Sequence, residues 1–251
     1  MSCGLCQLFD MMESEVRANS CEEFRLGDEQ VLTAPDIALV AGLYSCGTVN
    51  LQVLPPSARC LFELSADAFD ALVHAWMSEL PIETEMIRFG RKVLATGERT
   101  EAERAATDRG DPDVRVVLDA AYKVQHEIHR LQGLLRFNPN EQGVYIARCE
   151  PDHLVLPALG DYFSERFGDT PWIIIDEKRR LHLACAAGER PILTNTHTVP
   201  PAAPESPDAS ADEWGNLWQQ YHSTINNESR NNPALQRKFM PKRYWKYLPE
   251  M

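Results

Sequence analysis

The chain has 251 residues, 44% hydrophobic and 25% charged, the balance of a folded globular protein and not of a disordered one. No apolar run reaches the ~20 residues a membrane helix needs, and the opening MSCGLCQLFDMMESEV lacks the basic start of a secretory signal. With 25 basic against 37 acidic side chains, the formal charge of −12 excludes a general DNA-coating protein.

Residues 36–55, DIALVAGLYSCGTVNLQVLP, are apolar and β-branched at their ends and predict one or two strands broken at Gly42 and Gly47. In SADAFDALVHAWMSELP, Ser65 is the expected N-cap. Phe69, Leu72, Val73, Trp76 and Leu80 recur at helical spacing until Pro81. EMIRFGRKVLATG predicts a second helix, interrupted or ended near Gly90, and residues 98–112 mix both charge signs as a solvated connection would. From Asp113, the series Val114, Val117, Leu118, Ala121, Val124, Ile128, Leu131 predicts an amphipathic helix ending near Gly133.

LLRF and VYIARCE, separated by NPNEQG, predict a hairpin. DHLVLPALGDYFSERFG predicts a helix capped by Asp152 and ended by Gly168, with Leu156, Leu159, Phe163 and Phe167 on its apolar face. WIIID and LHLACAA flank EKRR as a second hairpin. The order α-β-β-α-β-β predicts an α+β fold, a small antiparallel sheet packed with helices on one face. The expected organisation is a mixed, helix-rich region over 1–112, an α+β core over 113–197, and a Pro/Ala/Ser-rich linker over 198–213. Residues 214–251 would then form a C-terminal helix, with Leu217, Trp218, Tyr221 and Ile225 on one side, and a basic aromatic segment packing on the core. Seven cysteines at scattered spacing in a chain too large to depend on disulfides read as reduced thiols, so a cytoplasmic location is expected.

Charge is unevenly spread. From Tyr221 onward there are six basic residues (Arg230, Arg237, Lys238, Lys242, Arg243, Lys246) against Glu228 and Glu250, a balance of +4; subtracting this from −12 leaves −16 for the rest. One reading is a nucleic-acid surface: the six cations on phosphates, Tyr244 or Trp245 stacked on an unpaired base. The plainer reading is a tail whose Phe239, Trp245 and Leu248 anchor inward while its cations pair with the chain's own carboxylates.

Four stretches carry a family resemblance: EIHRLQGLLRF (127–137), EPDHLVLPALGDYFSERF (150–167), WIIID (172–176) and ESRNNPALQRKFMPKRYWKYLPE (228–250). Over about residues 80–251 the chain resembles a bacterial family of unassigned activity, labelled as DNA metabolism or DNA repair proteins. Its members are encoded beside a radical-SAM protein thought to act on DNA, and some are fused to a uracil-DNA glycosylase-type domain. The first sixty residues depart from the family, whose usual Tyr-Asp-Gly opening is replaced here by CGLCQLFDMMES. The resemblance implies a DNA-linked pathway, a radical-SAM partner and a possible link to a uracil-DNA glycosylase-type protein; it supplies no reaction.

Other motifs compete with plainer accounts. His126 and His129 share a helix face, but H-E-x-H is not the H-E-x-x-H of a zinc protease. His129 and Arg136 match the resembled motif and, with Asp176, form the candidate set for a hydrolase or glycosylase-like enzyme acting on nucleic acid. In the plainer account His129 hydrogen-bonds the backbone and Asp176 shapes the hairpin turn. Glu150 and Asp152 could pair as catalytic carboxylates, but a strand end followed by a helix cap explains them as well. Cys3 and Cys6 have ligand spacing but supply only half of a tetrahedral metal site. There is no Gly-rich phosphate loop, nucleophile elbow, deaminase signature or radical-SAM cysteine triplet, so no cofactor is expected. The leading expectation is an accessory protein of DNA repair or modification that binds nucleic acid, a radical-SAM partner, or both. A nucleic-acid enzyme and a pure protein-docking module are the alternatives.

Overall fold

Ser65 accepts a hydrogen bond from the Ala68 N–H (3.1 Å) and starts helix α2, Ala66–Met77, as its position before an apolar-periodic run predicts. This computed structural model describes residues 8, 9, 11, 12, 55–195, 217, 220, 221, 223, 224, 232, 235 and 239–248. Cys3, Cys6, Cys21, Arg230, Arg237, Lys238, the strands expected over 36–55 and the linker expected over 198–213 lie outside these residues. Two compact units emerge: one holds the described residues up to Glu127 together with Asp152–Val155, the other Ile128–Pro151 and those from Leu156 onward.

The first unit is helical. α1 (Pro56–Leu64), α2, α3 (Glu83–Leu94) and α4 (Arg99–Thr107) pack pairwise, and the long α5 (Pro112–Leu134) begins in the same unit. Phe69 of α2 is the aromatic centre, stacked on Phe9 at 5.8 Å and meeting Phe62 edge-on at 5.5 Å. Two elements depart from expectation. α3 does not break at Gly90: the Met12 sulfur fills the place where a Cβ would stand, so this glycine marks a close approach and not a helix end. Residues 98–112 are not simply a solvated connection either. Ala102 and Ala106, one turn apart and buried, give α4 an inward stripe that its charged neighbours mask in the sequence. α5 is capped by Asp111, whose carboxylate accepts from the Asp113 and Val114 N–H groups, with Pro112 at the first helical position.

The second unit is built on a five-stranded sheet in sequential order: β1 (Asn138–Pro139), β2 (Tyr145–Cys149), β3 (Trp172–Asp176), β4 (Leu181–Cys185) and β5 (Ile192–Asn195). The α+β class is as expected, but the sheet is mixed. β2 and β3 run parallel, and the other neighbours antiparallel. The helical segment between β2 and β3, a 3-10 turn (Leu156–Leu159) leading into α6 (Gly160–Phe167), is a crossover that brings the chain back in its original direction. Asp152 is exposed and is not the N-cap of α6, which begins eight residues later after Leu159. β5 has no counterpart in the expected order, and the first strand is a remnant at Asn138–Pro139, just past LLRF.

One face of the sheet is closed. Ala147, Cys149, Trp172, Ile174, Asp176, Leu181, Leu183, Cys185 and Leu193 are all at most 7% exposed. Phe163 of α6 meets the Trp172 ring at 6.1 Å, and Phe137 lies 5.0 Å from Phe163 and 4.7 Å from Phe167. The opposite face carries Ile146, Arg148, Ile173, Ile175, His182, Ala184, Ile192 and Thr194. Most of these are half-buried, and Ile192 is exposed.

Candidate functional site

Parallel pairing decides where the acidic groups gather. Cys149 and Asp176 end β2 and β3 as register partners, so the residues that follow, Glu150 and Glu177, leave the sheet at the same end. The Glu177 N–H donates to the Cys149 carbonyl at 3.0 Å. Ligand sites of α/β sheets commonly sit at such carboxyl ends of parallel strands. Here the C-terminal segment of the chain occupies the place.

That segment is a 3-10 helix, Lys242–Tyr247, packed against β2. Tyr244 and Leu248 are buried at 2% and 5% exposure and fix it. Lys246 Nζ donates to Glu150 Oε1 at 2.6 Å and lies 3.9 Å from Glu177 Oε2; the Tyr247 hydroxyl donates to Glu177 Oε2 at 2.6 Å, and Arg148 Nη1 donates to Glu177 Oε1 at 3.2 Å. The Lys246 hydrogen bond holds the Glu150 carboxyl below its ordinary range. Burial and the Glu177 carboxylate raise the Tyr247 phenol far above its usual value, so it remains a donor.

The other tail residues face differently. Lys242 is exposed, pairs with no carboxylate among the described residues, and lies over the Trp245 ring at 5.9 Å. Trp245 is half-buried, its Nε1 donating to the Met240 carbonyl at 2.9 Å. The Arg243 guanidinium rests 4.7 Å from the Tyr244 ring centre. Tyr244 is thus an anchor, and of the two expected stacking rings only Trp245 is part-exposed. Upstream, the helical residues Leu217 and Tyr221 are more than half exposed, as is Phe239, while Leu235 stands at 50%.

Asp176 is fully buried in the β3–β4 turn. Its carboxylate accepts from the Arg179 N–H (3.1 Å) and from Arg179 Nη1 (2.9 Å), and burial pushes the carboxyl up against the pull of that guanidinium. His129 is exposed on α5, and Arg136 Nη1 donates back to the Gly133 carbonyl at 2.9 Å. Asp176 is thus sealed in its turn while the His129 imidazole faces solvent. Glu127, between the two histidines, is the structural residue of that motif: its buried carboxylate accepts from the Asp152 and His153 N–H groups. Among the described residues no group of three or more His, Cys, Asp or Glu could hold a metal, and no helix is long and apolar enough to cross a membrane.

Sequence reasoning passed over Arg148, Glu177, His182, Thr194 and Tyr247. A usable signal existed: in YIARC and LHLAC the period-two alternation puts Arg148 and His182 on the side away from Ala147, Cys149, Leu181, Leu183 and Cys185.

Fold and site together define an α+β protein with a mixed sheet, whose carboxyl-terminal segment is latched to the sheet by a pair of glutamates. A family model described as a domain of unknown function, DUF4130, matches residues 85–250, and the chain belongs to that family. No curated protein and no solved structure matches it significantly.

Proposed function

We propose that this chain is an accessory protein of DNA repair or modification whose C-terminal segment contacts single-stranded nucleic acid. The observation that carries this is Lys242: an exposed ammonium, unpaired with carboxylate among the described residues, set beside a part-exposed Trp245 on a segment anchored by the buried Tyr244 and Leu248. A fixed cation next to an aromatic edge suits a phosphate and its neighbouring base. Arg230, Arg237 and Lys238 add to the basic character of the same stretch of sequence. The DNA-linked pathway and the radical-SAM partner rest on the family resemblance.

Fluorescence anisotropy with a labelled single-stranded oligonucleotide tests this. Wild type is expected to bind with affinity that falls with salt, and Lys242→Glu to weaken binding and flatten the log–log salt slope by about one phosphate contact, ~0.7. Wild-type binding that is absent, or equal in the variant and flat with salt, would remove the proposal.

A protein-docking role is favoured by a separate observation, the exposed Leu217, Tyr221, Leu235 and Phe239. Co-purification with a radical-SAM enzyme that survives high salt and nuclease, and is lost in Leu235→Asp/Phe239→Asp, would support it. Association that nuclease abolishes would count against it.

A further inference from the structure

Three donors converge on one carboxylate at the carboxyl ends of β2 and β3. Arg148 Nη1 donates to Glu177 Oε1 at 3.2 Å, the Tyr247 hydroxyl donates to Oε2 at 2.6 Å, and Lys246 Nζ lies 3.9 Å from that same oxygen. A guanidinium, an ammonium and a hydroxyl gathered around two oxygens are the groups that proteins direct at phosphate. Here the anion is the chain's own, and Glu150 accepts a further bond from Lys246 at 2.6 Å.

The donors are held more firmly than the acceptors. The buried Tyr244 and Leu248 fix the backbone of Lys246 and Tyr247, and Arg148 sits inside β2, against which that segment packs. Glu150 and Glu177 lie just past the strand ends, with side chains 39% and 32% exposed. Either carboxylate can swing into water without moving the backbone that carries the donors. Ion pairs this exposed are weak and screened by salt, so an outside anion can compete with them. The Arg148 and Lys246 side chains, 37% and 51% exposed, are open to solvent. Lys242 stands four residues before Lys246 on the same 3-10 helix, ~8 Å along its axis, within reach of one strand.

We propose that Arg148, Lys246 and Tyr247 form a phosphate site that Glu177 and Glu150 fill in the free protein, so that the two glutamates restrain nucleic-acid binding. A phosphodiester of a single strand displaces the carboxylates and takes over their donors. The choice of a nucleic-acid phosphate rests on the function proposed above; the anion site itself does not.

Anisotropy with the labelled single-stranded oligonucleotide and the full chain tests this. Glu150→Gln/Glu177→Gln should bind about tenfold tighter than wild type, the gain of one charge-assisted contact, with a log–log salt slope steeper by ~0.7. Glu141→Gln/Asp169→Asn removes the same charge from exposed positions at the opposite ends of β2 and β3. That pair should leave the affinity within about twofold of wild type, because charges so far from the site are screened. In a Lys246→Met background the Glu150 and Glu177 changes should lose most of their effect. Equal binding by wild type and Glu150→Gln/Glu177→Gln, an equal gain in Glu141→Gln/Asp169→Asn, or a full gain that persists with Lys246→Met would each overturn the site. Wild-type binding that depends on Lys242, with no gain in Glu150→Gln/Glu177→Gln, would keep the proposed function and remove only this site. If no form of the protein binds the oligonucleotide, the proposed function falls. Nitrogen NMR of the Lys246 ammonium in Glu150→Gln/Glu177→Gln then decides the anion site: a saturable shift with inorganic phosphate keeps it, and silence removes it.

Discussion

Single residues carry loads here that their sequence neighbours do not reveal. Glu127 is 2% exposed and holds the Pro151–His153 turn by two main-chain N–H bonds of 3.0 and 2.9 Å. Glu127→Gln keeps the shape but turns an amide nitrogen toward one of those donors. It should cost about 2 kcal/mol, seen as a lower urea midpoint at unchanged slope. The sequence shows the residue only as the middle of H-E-x-H, because its partners are far along the chain. At the end of α2 the opposite holds. Glu79 has φ of +56°, in the left-handed region where a non-glycine residue is strained. Glu79→Gly should raise stability by about 0.5–1 kcal/mol in the same assay, relief of the Cβ clash exceeding the added chain entropy.

At the level of elements, helix ends and hairpins follow local chemistry and were legible: Ser65 capping α2, the Asp176 turn between β3 and β4, Gly168 closing α6. What was hidden depends on distant partners. Gly90 resembles a breaker until Met12 is found against it, and the alanine stripe of α4 is invisible among charges. Gly90→Ala sets an ~1 kcal/mol gain in helix propensity against overpacking of a buried Met12, and should be net destabilising by about 1 kcal/mol. In a Met12→Ala background the same change should become stabilising. A double-mutant cycle by chemical denaturation reads the reversal; a Gly90→Ala effect identical in both backgrounds would show that Met12 is not the obstacle. The candidate site was half legible. The basic, aromatic character of the tail is plain in the sequence, but which cations face inward is not, since Glu150 and Glu177 become neighbours only through the parallel β2–β3 register.

For the molecule as a whole, charge is the organising quantity. An acidic body retains a basic tail partly by pairing with it, and Lys246 with Glu150 and Glu177 is that pairing. Because the folded state holds the Glu150 pKa below its unfolded value, this contribution is complete above the ordinary Glu range and fades as pH falls through the depressed folded value. His182 acts in the same sense at higher pH: with its folded pKa below 6.5, acidification from there favours the unfolded chain. Asp176, pushed up by burial, acts oppositely in acid. The three overlap in wild type, so the useful comparison is with Glu150→Gln. The stability gap between the two proteins should be constant near neutrality and close in acid, as urea titrations across pH would record. A gap independent of pH would mean that the glutamate charge is not what holds the tail.

The parallel pair also sets a schedule for folding. β3, β4 and β5 are joined by tight connections and can zip as a local meander, whereas β2 finds its register only after residues 150–171 have closed as a loop and laid α6 on the sheet. Amide protection in a pulsed-exchange refolding experiment should therefore appear in Leu181–Cys185 before Tyr145–Cys149. The carboxyl-terminal segment, which docks on β2, would be among the last parts of this unit to settle.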